Sequence, residues 1–83
     1  MEQNDENARK LLIELGLFSL DSVPAIKGKI YQLNMRQMDR LKMMLQRLDS
    51  EENALSAETK LGIKNNDFQA FAEVIIALST RLK

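Results

Sequence analysis

An all-α fold, a compact bundle of four to five short helices, follows from three observations on this sequence. Apolar residues recur at spacings of three and four, the period of one helical face. Residues that cap helices, namely Ser22, Asn34 and Asn66, stand just before such runs. Breakers are scarce: with one proline and three glycines, no segment is biased enough to be a linker or a low-complexity tail. The 83 residues give one domain, and a chain of this size buries only about 60 to 65% of its unfolded surface. The chain has neither cysteine nor histidine, so disulfides and the usual structural zinc ligands cannot reinforce a modest core. Dimerisation is the remaining common remedy.

In the first helix, Ala8, Leu11, Leu12 and Leu15 share a face. Asn4 or Asp5 is the expected cap, with the first few residues disordered before it. Gly16 ends the helix in the left-handed conformation, and Leu17 folds back on Leu12 in a Schellman arrangement. Phe18 and Leu20 then plug the core from a loop. Ser22 caps a second helix that tolerates Pro24 in its first turn and buries Val23, Ile26, Ile30 and Leu33. Gly28 inside it costs about 1 kcal/mol relative to Ala, which points to close packing or to a looser, shorter element.

The third helix, Asn34 to Leu48, opens on a variant of the capping box, Asn34 with Gln37; Asn66 with Gln69 repeats the pattern later. Met38, Leu41, Leu45 and Leu48 form its core sector, with Met44 at the edge. Opposite them, Arg36, Arg40, Met43 and Arg47 fall within about 60°. The sequence turns polar from Asp49 to Asn53, and a break is expected there. Asp49 or Ser50 would then cap a fourth helix bearing Ala54, Leu55, Ala57 and Leu61 and stopping at Gly62. An unbroken helix to Leu61 is the competing arrangement, disfavoured because it puts Glu52 in the seam.

The last helix, Asp67 to Leu82, sets Phe68, Phe71, Ile75, Leu78 and Leu82 at heptad spacings, and Ala72, Val74 and Ile76 widen the apolar arc to about 200°. Such a helix is either central to the bundle or shared between two subunits. In so short a chain the expectation is a homodimer, with Phe68, Phe71, Ile75, Leu78 and Leu82 at its interface.

The residue types exclude most chemistry. Without histidine or cysteine there is no common proton shuttle, thiol nucleophile or soft metal site. Glu51 and Glu52 are adjacent and so lie on different helix faces, and Glu58 is too far along to join both around a hard cation. Gly16, Gly28 and Gly62 are isolated and fit no phosphate-loop spacing. Ser19, Ser22 and Ser50 lack a base and look like turn or cap residues. No enzyme, cofactor site or metal site is expected. The longest apolar run, Val74 to Leu78, is far short of the ~20 residues that span a bilayer. The acidic, polar stretch after Met1 is unlike a secretory signal, and a cytoplasmic location is expected.

Twelve basic and twelve acidic side chains cancel, but unevenly along the chain. Residues 1–24 carry minus three, residues 25–48 plus five, and the remainder minus two. The basic island contains Lys27 and Lys29 as well as the stripe on the third helix. A solvated outer face accounts for the arginines. Met43 is what that account explains least, since a polarisable, unbranched thioether among arginines suits an acidic, partly apolar partner. The expected activity is that of a small regulatory, adaptor or inhibitor protein acting by protein–protein contact. Its expected partner surface is Arg36, Arg40, Met43 and Arg47, with Lys27 and Lys29.

The alternative is a nucleic-acid-binding or transcription-regulating protein that uses the same stripe, with Tyr31 to stack on a base. Against it stand zero net charge, a single tyrosine, and a connection between the second and third helices that reads as too short for a helix-turn-helix. Membrane-surface binding ranks last, because the third helix lacks Trp and Phe and its apolar face is needed for the core.

Overall fold

Five α-helices follow one another, α1 (Glu2–Glu14), α2 (Val23–Tyr31), α3 (Met35–Glu52), α4 (Ala57–Lys64) and α5 (Phe68–Leu82), with no strand among the described residues. The computed structural model describes the backbone of residues 2–52 and 55–83 and the side chains of 5–49 and 55–83. α1 starts at Glu2, so Asn4 and Asp5 lie inside the helix rather than capping it. Its end is as expected. Gly16 adopts φ +76°, its N–H donates to the Ile13 carbonyl at 3.1 Å, and the Leu17 N–H donates to the Leu12 carbonyl at 2.8 Å. Leu12 and Leu17 are both fully buried, completing the Schellman motif with its apolar contact. Phe18 and Leu20 pack from the loop, and the Arg9 guanidinium lies 5.5 Å from the Phe18 ring centre.

The Ser22 hydroxyl accepts from the Ala25 N–H at 3.3 Å, with Pro24 in the first turn of α2. Ile26 and Ile30 are buried, and Val23 and Leu33 pack beside them. Gly28 faces open space, so close packing does not account for it. At the start of α3 the reciprocal cap forms. The Gln37 N–H donates to Asn34 Oδ1 at 2.8 Å, and the Asn34 N–H donates to Gln37 Oε1 at 2.9 Å. Leu41, Leu45 and Leu48 are buried, with Met38 and Met44 half-buried beside them.

The break expected at Asp49 does not occur there, because α3 continues to Glu52. Asp49 Oδ1 accepts the Leu55 N–H at 3.0 Å, and Oδ2 meets Lys60 Nζ at 3.1 Å. A carboxylate that resembles a cap for the next helix therefore acts backwards, fastening the end of α3 to the start of α4. Ser56 is the cap of α4, its Oγ accepting the Thr59 N–H at 3.1 Å. Ala54 and Asn53, and the side chains of Ser50, Glu51 and Glu52, lie outside the described residues.

Ile63 supplies the buried residue of α4, whereas Leu61 points outward at 59% exposure. Gly62 does not stop the helix. A Cβ built there would sit 2.7 Å from the Ala70 Cβ, so the glycine lets α4 approach α5. The stop comes at Asn66, with φ 60°, where a second Schellman pair forms: Asn66 N–H to Ile63 and Asp67 N–H to Gly62, the latter at 2.8 Å. Asn66 is thereby spent on α4, and the expected Asn66–Gln69 box is replaced by an Asp67 cap on the Gln69 N–H at 3.0 Å.

α5 is the centre of the bundle, with α2, α4 and α1 packed around it. Phe71, Ala72 and Ile75 have no exposed surface within the single chain, and Leu78 has 8%. Phe68 and Leu82 are half-buried in the same core. The middle of the wide apolar arc is therefore covered by the chain's own neighbours, while Val74 and Ile76 stay half-buried. Of the residues expected at a homodimer interface, Phe71, Ile75 and Leu78 are buried in the single chain's own core, while Phe68 and Leu82 keep part of their surface exposed. The Cα radius of gyration, 11.4 Å, matches the ~12 Å of a chain this long gathered around one core.

Candidate functional site

With α5 holding the core, α1 and α3 lie side by side and keep a groove between them. α1 contributes Asn7, Lys10, Leu11 and Glu14, and α3 contributes Arg40, Met43, Met44 and Arg47, each set at the i, i+3, i+4, i+7 spacing that aligns one helical face. Leu48 closes the lining, and the volume is about 430 Å³. Leu11 and Leu48 belong to the core and Met44 is half-buried, so the floor is apolar. Met43 stands at the rim at 53% exposure.

The rim is charged. Arg40 donates from Nη1 to Glu14 Oε2 at 2.5 Å and from Nη2 to Glu14 Oε1 at 3.4 Å, a fork bridging the two helices at one end of the groove. Hydrogen bonding and the adjacent charge hold the Glu14 carboxyl below its ordinary value and the Arg40 guanidinium above its own. Lys10 makes only a long contact with Glu6, 3.9 Å within α1, and Arg47 has no ion-pair partner among the described residues.

Three of the six residues expected at a partner surface, Arg40, Met43 and Arg47, meet in this groove. The other three do not. Arg36 is exposed on α3 but outside the lining. Lys27 Nζ donates to Gln69 Oε1 at 3.3 Å on α5, and the Lys29 stem lies over Gly16, where an added Cβ would be 2.9 Å from its Cε. Sequence reasoning missed Asn7, Lys10 and Glu14, because their spacing marks a face but not the helix it adjoins. It also placed Met44 with the core alone.

Tyr31 is 73% exposed, but its ring stands edge-on to Phe68 at 4.7 Å and takes no part in the groove. Three residues, 32–34, connect α2 to α3, so the linker is not too short for a helix-turn-helix. The two helices nonetheless do not form such a unit, since α2 packs chiefly on α5.

Two further hollows flank Leu55. One is lined by Leu45, Gln46, Asp49, Lys60, Ile63 and Lys64, and there the Asp49 and Lys60 charges answer each other. The other is bounded by Leu48, Val74, Ala77 and Leu78, with Asp49 and Arg81 as its charged members. Among the described residues no three acidic side chains gather where they could hold a metal ion, and no helix is long and apolar enough to cross a membrane. No family model matches the chain, and no curated protein or solved structure shows significant similarity to it.

Proposed function

We propose that this chain is a small non-enzymatic regulator or adaptor, working in the cytoplasm, that receives a helix of a protein partner in the groove between α1 and α3. The observation that carries the reading is the convergence of Arg40, Met43 and Arg47 with Lys10 and Leu11 on one concave surface with an apolar floor and a basic rim. Helix-in-groove recognition needs that combination: apolar anchors enter the floor, and charged neighbours set register and exclude wrong partners. Methionines at the floor and rim suit this use, because an unbranched thioether adapts to the shape of its guest. Self-association through α5 is not part of the proposal, since Phe71 and Ile75 are already spent on the core.

Site-specific photocrosslinking in the native host tests it. A photoreactive residue at position 43 should give discrete protein adducts that one at position 31 does not. Adducts to nucleic acid from position 43, or protein adducts from position 31 alone, would move the site away from the groove.

A further inference from the structure

We infer that the groove's guest is an acidic amphipathic helix and that Glu14 is its built-in competitor, occupying on Arg40 the place that a guest carboxylate takes in the complex. The inference rests on the groove reading above and adds to it the guest's chemistry and a self-gating contact. Along the rim, Lys10 meets Glu6 only at 3.9 Å and Arg47 pairs with no acid among the described residues, while Arg40 is already forked onto Glu14. A guest that presents an apolar ridge to Leu11, Met43 and Met44 brings its flanking residues against those three cations. Carboxylates are the side chains that satisfy all three.

The face from Arg40 to Arg47 spans two helical turns, about 10 Å, so a guest helix of a few turns covers it. A guanidinium fork is matched to one carboxylate at a time, so a guest that needs Arg40 must displace Glu14. Release is easy. The Arg40 and Glu14 side chains are 47% and 58% exposed, and ion pairs that wet contribute little to stability. Glu14 therefore costs an acidic guest a few-fold in affinity. It also deters neutral guests, which gain nothing on Arg40, and basic ones, which meet Lys10 and Arg47.

The test is fluorescence anisotropy of the full chain with three labelled synthetic helices of about 18 residues, long enough to hold helix on their own. All three carry the same leucine ridge, flanked by Glu, by Gln or by Lys. The Glu helix should bind the wild type, and Met43→Asp should abolish binding. Glu14→Gln should tighten binding about two- to fivefold, the range a surface ion pair allows. Arg40→Gln should weaken it about tenfold, as loss of a charged anchor does, and Glu14→Gln added to Arg40→Gln should then change nothing.

Unchanged or weaker binding to Glu14→Gln, with Met43→Asp still abolishing it, overturns the competitor and leaves the groove standing. Binding that ignores Met43→Asp, or no binding by any of the three helices, overturns the groove itself. Equal or tighter binding of the Gln or Lys helix, a single-stranded oligonucleotide or anionic vesicles overturns the acidic guest. So does a dimer in sedimentation that Arg47→Glu dissolves, since the guest would then be a second copy.

Discussion

The two glycines inside helices make opposite predictions for the same substitution. Gly28 faces open space, so Gly28→Ala should stabilise the chain by the propensity difference alone, about 0.5–1 kcal/mol. At Gly62 the new Cβ would stand 2.7 Å from the Ala70 Cβ, well inside the ~3.5–4.0 Å at which two carbons rest in contact. The Asp67 Cβ lies at 3.6 Å, an ordinary contact, so the conflict is with Ala70. Neither atom ends a flexible side chain, and relief requires α4 to move off α5 by most of an ångström. Overpacking of that kind costs about 1–3 kcal/mol, from which the same propensity gain of about 0.8 kcal/mol is subtracted. Gly62→Ala should therefore be destabilising by about 0–2 kcal/mol.

In a chain of this length each 1 kcal/mol moves Tm by about 4–8 °C, so the two variants should separate clearly in thermal melts followed by circular dichroism. Ala70→Gly is destabilising by itself, but it removes the conflicting atom, and in that background Gly62→Ala should lose its penalty. A Gly62→Ala variant as stable as Gly28→Ala, or a double variant showing no relief, would refute the close approach of α4 to α5.

Other perturbations read other parts of the fold. Asn34→Ala removes half of the reciprocal cap and should cost about 1 kcal/mol in urea unfolding. Ser79 is buried on α5 with a hydroxyl that has no hydrogen-bond partner among the described residues, so Ser79→Ala should be neutral or stabilising, against the trend of polar-to-Ala changes at caps. Glu14 titrates below its ordinary 4.5 in the folded chain, so the ionised pair stabilises fully above about pH 4.5 and is lost as pH falls through the lowered value. The stability difference between wild type and Glu14→Gln should accordingly be constant above about pH 5 and shrink in acid, and a difference that grew in acid would contradict the pairing. Sedimentation at micromolar concentration should give a 9.5 kDa species if the burial of Phe71, Ile75 and Leu78 within one chain leaves α5 too little apolar surface to share, and a stable dimer would contradict that.

Local chemistry was the legible part of this fold. The Gly16 stop with Leu17 on Leu12, the Ser22 and Asn34 caps, and the buried faces of α1, α2 and α3 each depend on residues within a few positions of one another. The errors cluster where a residue has two possible uses. Asp49 can open a helix or fasten the end of one, and only the position of Lys60 and the Leu55 N–H decides between them. Asn66 can accept from the next helix or turn left-handed to end the previous one, and the second use, coming first along the chain, prevails. Gly62 reads as a stop because a glycine in a sequence does not reveal the Ala70 methyl that another helix brings against it.

The same limit explains the site. Periodicity identifies α3's outer face but not its neighbour, and half of the groove comes from α1, twenty or more residues away in sequence. The central position of α5 is what makes that neighbour available. α1 packs on both α5 and α3, and α1 and α3 meet each other along faces that are only partly apolar. Two helices joined through Leu11, Met44 and Leu48 at depth, with Lys10, Glu14, Arg40 and Arg47 above, cannot close the surface between them as an all-apolar seam would. The arginines that a sequence reading assigns to plain solvation therefore stand at the edge of a concavity, where a desolvated partner charge is worth more than on an open helix face.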